Sequence, residues 1–509
     1  MELPLFPPVY NAAADLVDRQ IVAGRGARLA YRDDRGAYTY EELRQRVDAA
    51  GLALRALGVE PEQRVLLLLL DTIDFPATFL GAMKLGAVPV PVNTQLTPDD
   101  YAFFLRDSRA RVIVVSDALK PKLDLALADR PPSLREVVTS SQLDELARRA
   151  PATLAPAPTT PDDVAFWLYS SGSTGTPKGA MHLHAHLQRT STLYGQGVLG
   201  LREDDVVFSA AKLFFAYGLG NALTFPLSIG ACAVLCAERP TPATVTKVMR
   251  AHQPTVFCGV PTLFASLLAD ADVMKDGLSP ALRISTSAGE GLPAHLGDAW
   301  RARFGSDILD GIGSTELLHI FLSNRPGEVR YGTTGKPVPG YQLKLVGDDG
   351  APVPDGEEGS LWVRGRTACA GYFNQRERSL ETFHGDWTRT GDRYARDSDG
   401  YYTFRGRSDD MLKVGGVWVA PFEVEGALAA HPAVLEAAVV GAPDGEGLIK
   451  PKAFVVLKPA NAPSAALEAE LKSFVKSRLA PFKYPRWIEF VDELPKTATG
   501  KVQRYKLRS

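Results

Sequence analysis

The chain has 509 residues, 45% of them hydrophobic and 23% charged, and a formal net charge of −2. That length exceeds what one compact core accommodates, so more than one domain is expected, and the composition is that of an ordinary soluble globular protein. A nearly neutral chain has no overall field to draw in DNA, RNA or an anionic membrane.

The N-terminus, Met1 to Pro8, lacks a basic stretch followed by an apolar one, so no signal peptide is expected. The apolar run Val65–Leu70, closed by Asp71, is a strand pattern far too short to span a bilayer. Four cysteines in a chain of this size supply no disulfide framework. Together these features predict a cytoplasmic protein.

Taken in order, the first half alternates helix and strand signals. Thr39 and Glu42 form a capping box that opens a helix to about Leu57, with Gly58 as its stop. After Val65–Leu70 a second helix runs to about Leu85 and stops at Gly86. Thr97-Pro98-Asp99-Asp100 starts a third, with Pro at its first position. Arg111–Ser116 is another buried strand, and Ala231–Ala237, with Cys232 and Cys236, has the same pattern. Such alternation implies parallel sheets covered by helices. Pro151–Pro161, rich in Pro, Ala and Thr, reads as an extended connector.

The connector leads into Tyr169–Gly179, which is dense in Ser, Thr and Gly and contains Lys178. Gly172, Gly175 and Gly179 let backbone N–H groups turn inward. Inward N–H groups, hydroxyls and one ammonium make a cradle for phosphate oxygens. A Walker loop needs Gly before its Lys and Ser or Thr after it. Here Pro177 precedes Lys178 and Gly179 follows, so this is a different phosphate loop.

Next come His182, His184 and His186, which would share one face if the segment were a strand. No nearby Cys or acid completes a tetrahedral zinc set, so they are not assigned to a metal. Asp310-Gly-Ile-Gly-Ser-Thr-Glu316 suits ligand binding at the carboxyl edge of a sheet, with Glu316 as an oxygen donor to Mg²⁺. A glycine turn capped by Ser314 or Thr315 explains the same residues. Trp387–Asp392 ends in an acid able to accept from the cis hydroxyls of a ribose, or simply in a surface turn.

After the charged stretch Arg405–Asp410, Val434–Val440, Ala453–Leu457 and Ile488–Val491 read as strands and Ala465–Leu479 as a helix. That is enough for a small α+β domain. Pro495–Arg504 reads either as a solvated basic tail or as a shaped tip carrying the ammonium of Lys501.

These four motifs stand in the order seen in acyl-adenylate-forming enzymes, which include acyl-CoA ligases, luciferases and peptide-synthetase adenylation domains. The resemblance runs from about Tyr31 to Arg508. It implies an α/β fold: a large multi-sheet N-terminal domain, residues 1–408, and a small mobile α+β C-terminal domain, residues 409–509.

By that resemblance Ser170, Ser171, Gly172, Ser173, Thr174, Gly175, Thr176 and Lys178 bind the β- and γ-phosphates of ATP. Ala288, Gly289 and Glu290, with Asp310, Gly311 and Ile312, flank the adenine. Thr315 and Glu316 serve the α-phosphate and Mg²⁺, and Asp392 and Arg407 hold the ribose. Asp409 is the hinge, and Lys501 the mobile lysine of adenylation. Lys413, Gly415, Gly416 and Trp418 would line a coenzyme A tunnel, although a β-turn explains the glycine pair equally well. In relatives the mobile lysine is acetylated, so a lysine acetyltransferase acting on Lys501 would silence adenylation.

The segment Lys212–Asn221 bears on the acyl group. Amino-acid-activating domains carry an Asp here, and none is present; many fatty acyl ligases carry His where Phe215 stands. With Leu317–Phe321, the segment resembles the benzoate–CoA ligase group. That implies a flat pocket formed by Phe215, Ala216, Tyr217, Gly313, His319 and Ile320. Hydroxy-, amino- or fluorobenzoates would also fit, because a hydrophobic slot discriminates small additions weakly.

The expected reaction joins a carboxylate to ATP, releasing pyrophosphate, and then exchanges AMP for the thiol of coenzyme A. The rival enzyme is a stand-alone adenylation enzyme that loads a carrier protein. The non-enzyme rival is a nucleotide-binding sensor, against which Lys501, Glu316 and Asp392 argue. Expected partners are the aromatic acid, ATP and coenzyme A, in a monomer or homodimer.

Overall fold

The computed structural model describes residues 3–148, 153–170, 177–407, 412–414, 417–444, 449–459, 461–479, 483–496 and 502–508, with the side chains of Lys413, Val417, Trp418 and Tyr505 excepted. Among them the largest sheet has nine strands. Its middle is parallel: Asp307–Gly313, Ile284–Ser287, Val256–Gly259, Val206–Ser209, Cys232–Val234 and Leu29–Asp33 lie side by side. These strands are short and mostly buried, as expected where helices cover both faces.

A second sheet, of four parallel strands, is formed by Val88–Pro91, Arg64–Leu68, Val112–Val115 and Glu136–Thr139. A third, antiparallel, contains Gln342–Val346, Glu358–Arg364, Trp387–Arg396 and Tyr402–Arg407.

The helix signals hold. Tyr40–Ala56 begins at Thr39, whose N–H donates to Glu42 Oε2 at 2.7 Å while Glu42 N–H donates back to Thr39 Oγ1 at 3.2 Å. Pro98–Ser108 opens with the corresponding box between Thr97 and Asp100. Asp74–Lys84 packs directly on Tyr40–Ala56, and a Cβ on Gly81 would stand 2.7 Å from Val47 O and 2.8 Å from Gly51 N. Only glycine lets these backbones approach so closely. Lys84 is buried in the same contact, where its ammonium lies 2.6 Å from Asp48 and 2.8 Å from Asp18.

Several boundaries shift. The strand expected at Val65–Leu70 is Arg64–Leu68, because Leu70 N–H turns to Ser116 Oγ at 2.9 Å and leaves the ladder. The strand expected over Ala231–Ala237 is only Cys232–Val234, so Cys232 is core and Cys236 lies beyond the strand. Trp387–Asp392 begins a ten-residue strand instead of forming a turn.

The C-terminal residues build a separate small core. Strands Val434–Pro443, Ile449–Leu457 and Trp487–Phe490 pair in one sheet, packed with helices Pro421–Ala429 and Ala465–Lys476 around Val424, Leu428, Val439, Val455 and Leu471. Those helix and strand ends replace the expected Leu479, Val440, Ala453 and Val491. This is the α+β arrangement that the sequence implies.

Removing the first cap tests the local account. Thr39→Ala should cost about 1 kcal/mol, seen as a lowered urea midpoint with unchanged far-ultraviolet circular dichroism.

Candidate functional site

Strands Val164–Ser170 and Lys178–Leu183 run antiparallel, with Ser170 opposite Lys178. The hairpin therefore joins the two flanks of the Ser/Thr/Gly run. Ser171, Gly172, Ser173, Thr174, Gly175 and Thr176 lie outside the described residues. Ser170 meets the Thr315–Glu316 turn directly, and Lys178 meets it through Tyr372. Ser170 Oγ donates to Glu316 Oε1 at 3.2 Å, and the Tyr372 hydroxyl donates to the same oxygen at 2.7 Å. Lys178 Nζ donates to the Tyr372 hydroxyl at 3.4 Å and sits 4.6 Å from its ring centroid.

Tyr372 escaped the sequence reading. Its segment carries no periodicity or charge pattern that marks it. Only the fold brings it in, through an isolated bridge to Ala180 and a hydrogen bond from Phe373 N–H to Gly179 O at 2.9 Å. Burial, then the charge of Glu316, pushes the phenol pKa far above its ordinary value, so it keeps its proton and donates.

The turn is also held from beneath. His182 is fully buried, and burial lowers its pKa to about 4, so the ring is neutral. Its Nε2 lies 2.8 Å from Thr315 O and must carry the proton, because a carbonyl only accepts. His182 Nδ1 is then an acceptor, 3.2 Å from His186 Nδ1. The three histidines do not share a strand face: His182 lies within strand Lys178–Leu183, while His184 and His186 lie in the first turn of the helix His184–Thr190. His184 Nδ1 accepts from Ala12 N–H at 3.1 Å. Among the described residues no group of three or more His, Cys, Asp or Glu could hold a metal ion.

Asp310, Gly311 and Ile312 lie within strand Asp307–Gly313, not after it. This strand pairs in parallel with Ile284–Ser287 as far as Asp310 and antiparallel with Ile320–Ser323 from Gly311 onward. The Asp310 carboxyl is buried, which raises its pKa well above the carboxylate range, and its Oδ1 has no partner among the described residues. Ala288, Gly289 and Glu290 follow the neighbouring strand, with Gly289 at φ +99°. Val502 N–H donates to Glu290 Oε1 at 3.3 Å, so the C-terminal segment reaches this turn. Lys501 and Asp409 lie outside the described residues.

Asp392 and Arg407 are direct partners across two antiparallel strands, and Arg407 Nη1 donates to Asp392 Oδ1 at 3.0 Å. Gly391 before them has φ +78°, which favours glycine. Leu412–Val414 and Val417–Val419 pair antiparallel, with Lys413 opposite Trp418. Gly415, Gly416 and the side chains of Lys413 and Trp418 lie outside the described residues.

The residues expected to form the acyl pocket divide between two cores. Phe215 and Ala216 pack on the core of the N-terminal helices, whereas Tyr217 and Ile320 belong to the core of the large sheet. His319 Nε2 donates to Tyr217 O at 3.3 Å, and its ring lies 4.5 Å from Phe225 and 5.2 Å from Tyr194. The Tyr217 hydroxyl is 2.5 Å from Thr286 Oγ1. A Cβ on Gly313 would stand 2.5 Å from His319 O, and one on Gly220 would stand 2.3 Å from the His319 ring. Tyr217, Gly313, His319 and Ile320 thus adjoin one another.

With this geometry in hand, the comparisons are specific. The family model described as AMP-binding enzyme matches residues 18–373, and the model of the AMP-binding enzyme C-terminal domain matches residues 423–501. The chain belongs to the AMP-binding enzyme family.

It is 58% identical over 510 aligned residues to a benzoate–CoA ligase of Thauera aromatica, covering 99% of this chain and 96% of the relative. A 4-hydroxybenzoate–CoA/benzoate–CoA ligase of Rhodopseudomonas palustris is 52% identical, with 98% and 94% covered. Among solved structures, a benzoate CoA ligase from Burkholderia xenovorans LB400 superposes with a TM-score of 0.93 at 52% identity, covering 98% of this chain and all of that one (100%). An anthranilate CoA ligase in complex with anthranoyl-AMP gives a TM-score of 0.95 at 44% identity, with 99% and 97% covered. No helix among the described residues is long and apolar enough to cross a membrane.

The buried histidine gives a pH test. Burial lowers the His319 pKa from 6.5 to about 3. Between those values the unfolded chain binds a proton that the native state refuses, so stability falls as pH drops from 6.5 toward 3. His182 and His184, both lowered to about 4, add to the same slope. His319→Gln, which can still donate to Tyr217 O, should lose less stability than the parent between about pH 7 and about pH 5 in urea titrations.

Proposed function

We propose that this chain is an AMP-forming aryl-CoA ligase that activates benzoate to benzoyl-AMP and transfers the acyl group to coenzyme A, releasing pyrophosphate and then AMP. The observation that carries this reading is the 58% full-length identity to a benzoate–CoA ligase. The site geometry supports it. The phosphate-side residues Ser170, Lys178 and Glu316 and the aromatic strip at Tyr217 and His319 are linked by one short stretch, Gly313–His319.

The chemistry follows from charge. A carboxylate repels nucleophiles and has no leaving group, so it is first joined to the α-phosphate of ATP. Two anions must then meet. On this reading Ser170–Lys178 hold the β- and γ-phosphates, Thr315 faces the α-phosphate, and Lys501 supplies the ammonium of the adenylation step. Ala288–Glu290 and Asp310–Ile312 flank the adenine, and the Asp392–Arg407 pair holds the ribose. Aimed charges of this kind are typically worth roughly 3–4 kcal/mol each.

ATP, Mg²⁺ and coenzyme A are the expected small molecules. The donor set fits Mg²⁺: among the described residues both donors to the Glu316 carboxylate fall on Oε1 and no hydrogen bond falls on Oε2. A carboxylate oxygen beside hydroxyls suits a hard cation that keeps most of its water. When bound, Mg²⁺ would neutralise phosphate charge as pyrophosphate leaves.

The slot formed by Phe215, Ala216, Tyr217, Gly313, His319 and Ile320 would take the ring. Its histidine is neutral and satisfied on Nε2, so it adds no charge beside the substrate carboxylate. After adenylation the small domain, residues 409–509, would turn about Asp409. That withdraws Lys501 and brings the Lys413–Trp418 hairpin, with Gly415 and Gly416, to the pantetheine path. The thiolate of coenzyme A then displaces AMP, a good leaving group.

The decisive experiment supplies benzoate, ATP, Mg²⁺ and coenzyme A and measures AMP and benzoyl-CoA. Benzoate-dependent AMP release that requires coenzyme A is expected; turnover without coenzyme A, or none with any aromatic acid, would refute the assignment. Lys501→Ala should abolish benzoyl-AMP formation while largely sparing thioester formation from supplied benzoyl-AMP, as judged by separate half-reaction assays. Ala216→Phe should raise KM for benzoate about tenfold or more, the scale of a lost small-pocket fit, and leave KM for ATP unchanged in steady-state kinetics.

A further inference from the structure

Among the described residues, both side-chain hydrogen bonds to the Glu316 carboxylate fall on one oxygen. Ser170 reaches Oε1 from the end of one hairpin strand, and Tyr372 reaches it from a segment laid along the other. Tyr372 is itself firmly placed. Its N–H donates to Ser379 Oγ at 3.0 Å, its ring lies 5.4 Å from Phe383, and the residue is only 4% exposed.

Because the phenol donates to Glu316, its oxygen lone pair remains for the Lys178 ammonium, which donates to it at 3.4 Å. Ammonium, phenol and carboxylate therefore form a directed chain. It joins the lysine beside the phosphate run to the carboxylate of the Thr315–Glu316 turn, 138 positions further along.

We propose that Tyr372 is a positioning residue for adenylation: it locks Glu316 with Oε2 presented to the divalent cation, and it ties that orientation to Lys178 so that cation and phosphates are held in one frame. The inference rests on the proposed role of Glu316 toward Mg²⁺. Tyr372 need not touch substrate. Hydrogen bonds behind a metal-binding carboxylate fix its orientation, and losing one typically lowers metal affinity about 10–100-fold.

Tyr372→Phe keeps the ring beneath Lys178 and removes only the hydroxyl. The test titrates Mn²⁺ calorimetrically into the full chain loaded with α,β-methylene-ATP. Mn²⁺ affinity should fall about tenfold or more. Benzoate adenylation should need correspondingly more Mg²⁺, while thioester formation from supplied benzoyl-AMP should be unchanged. An unaltered Mn²⁺ affinity in the folded variant would overturn the proposal.

Ser170→Ala removes the other donor on Oε1. It should shift Mn²⁺ affinity in the same direction, and it decides the question if the Phe variant does not fold: no shift would refute the shared-oxygen lock. If the unaltered chain binds the nucleotide without any dependence on Mn²⁺, the assignment of Glu316 fails instead, a result distinct from a Tyr372 effect that is absent.

Discussion

One carboxylate oxygen gathers the molecule. Oε1 of Glu316 receives Ser170 from 146 residues upstream and Tyr372 from 56 residues downstream. Carboxylate hydrogen bonds of this kind are stronger than neutral ones and expensive to leave unmade. They tie the hairpin Val164–Leu183, the turn between strands Asp307–Gly313 and Ile320–Ser323 and the segment around Tyr372 into one unit. The backbone repeats the linkage, since Cys369 N–H donates to Glu316 O at 2.8 Å and Met181 N–H to Gly371 O at 3.1 Å.

Beneath this unit the protein uses imidazoles as neutral struts. His182 supports the Thr315 carbonyl, and His319 supports that of Tyr217. In each case burial suppresses protonation, so the ring contributes a fixed donor and no charge. The glycines opposite His319 serve the same end from the other side, since any side chain at Gly220 or Gly313 would occupy its space.

Local rules made much of this readable. The Thr39 box, the helix start at Thr97-Pro98, the stops at Gly58 and Gly86 and the small C-terminal domain follow from patterns within a few residues. The motifs at Lys178, Glu316 and Asp392 stand out in the sequence because their polar and charged residues are concentrated in short runs. What escaped was created by pairing. Asp392 reads equally as a turn acid until its strand is set against Arg407. His182 and His186 look alike in sequence, and only the change from strand to helix at His184 gives them different tasks. Tyr372 has no local signature, because its partners come from two other parts of the chain. The ends of Arg64–Leu68 and Cys232–Val234 were misjudged because an apolar run extends beyond the ladder that holds it.

Strand Asp307–Gly313 is bound on both flanks, parallel on one and antiparallel on the other, with the change at Asp310 and Gly311. Side chains alternate between the faces of a sheet, so inserting or deleting a single residue here would exchange every inward group for an outward one. Over evolutionary time, then, changes of length should be purged from this stretch and accumulate in exposed turns such as Asp348–Gly350, leaving point substitution as the main route by which the surroundings of this strand can be retuned.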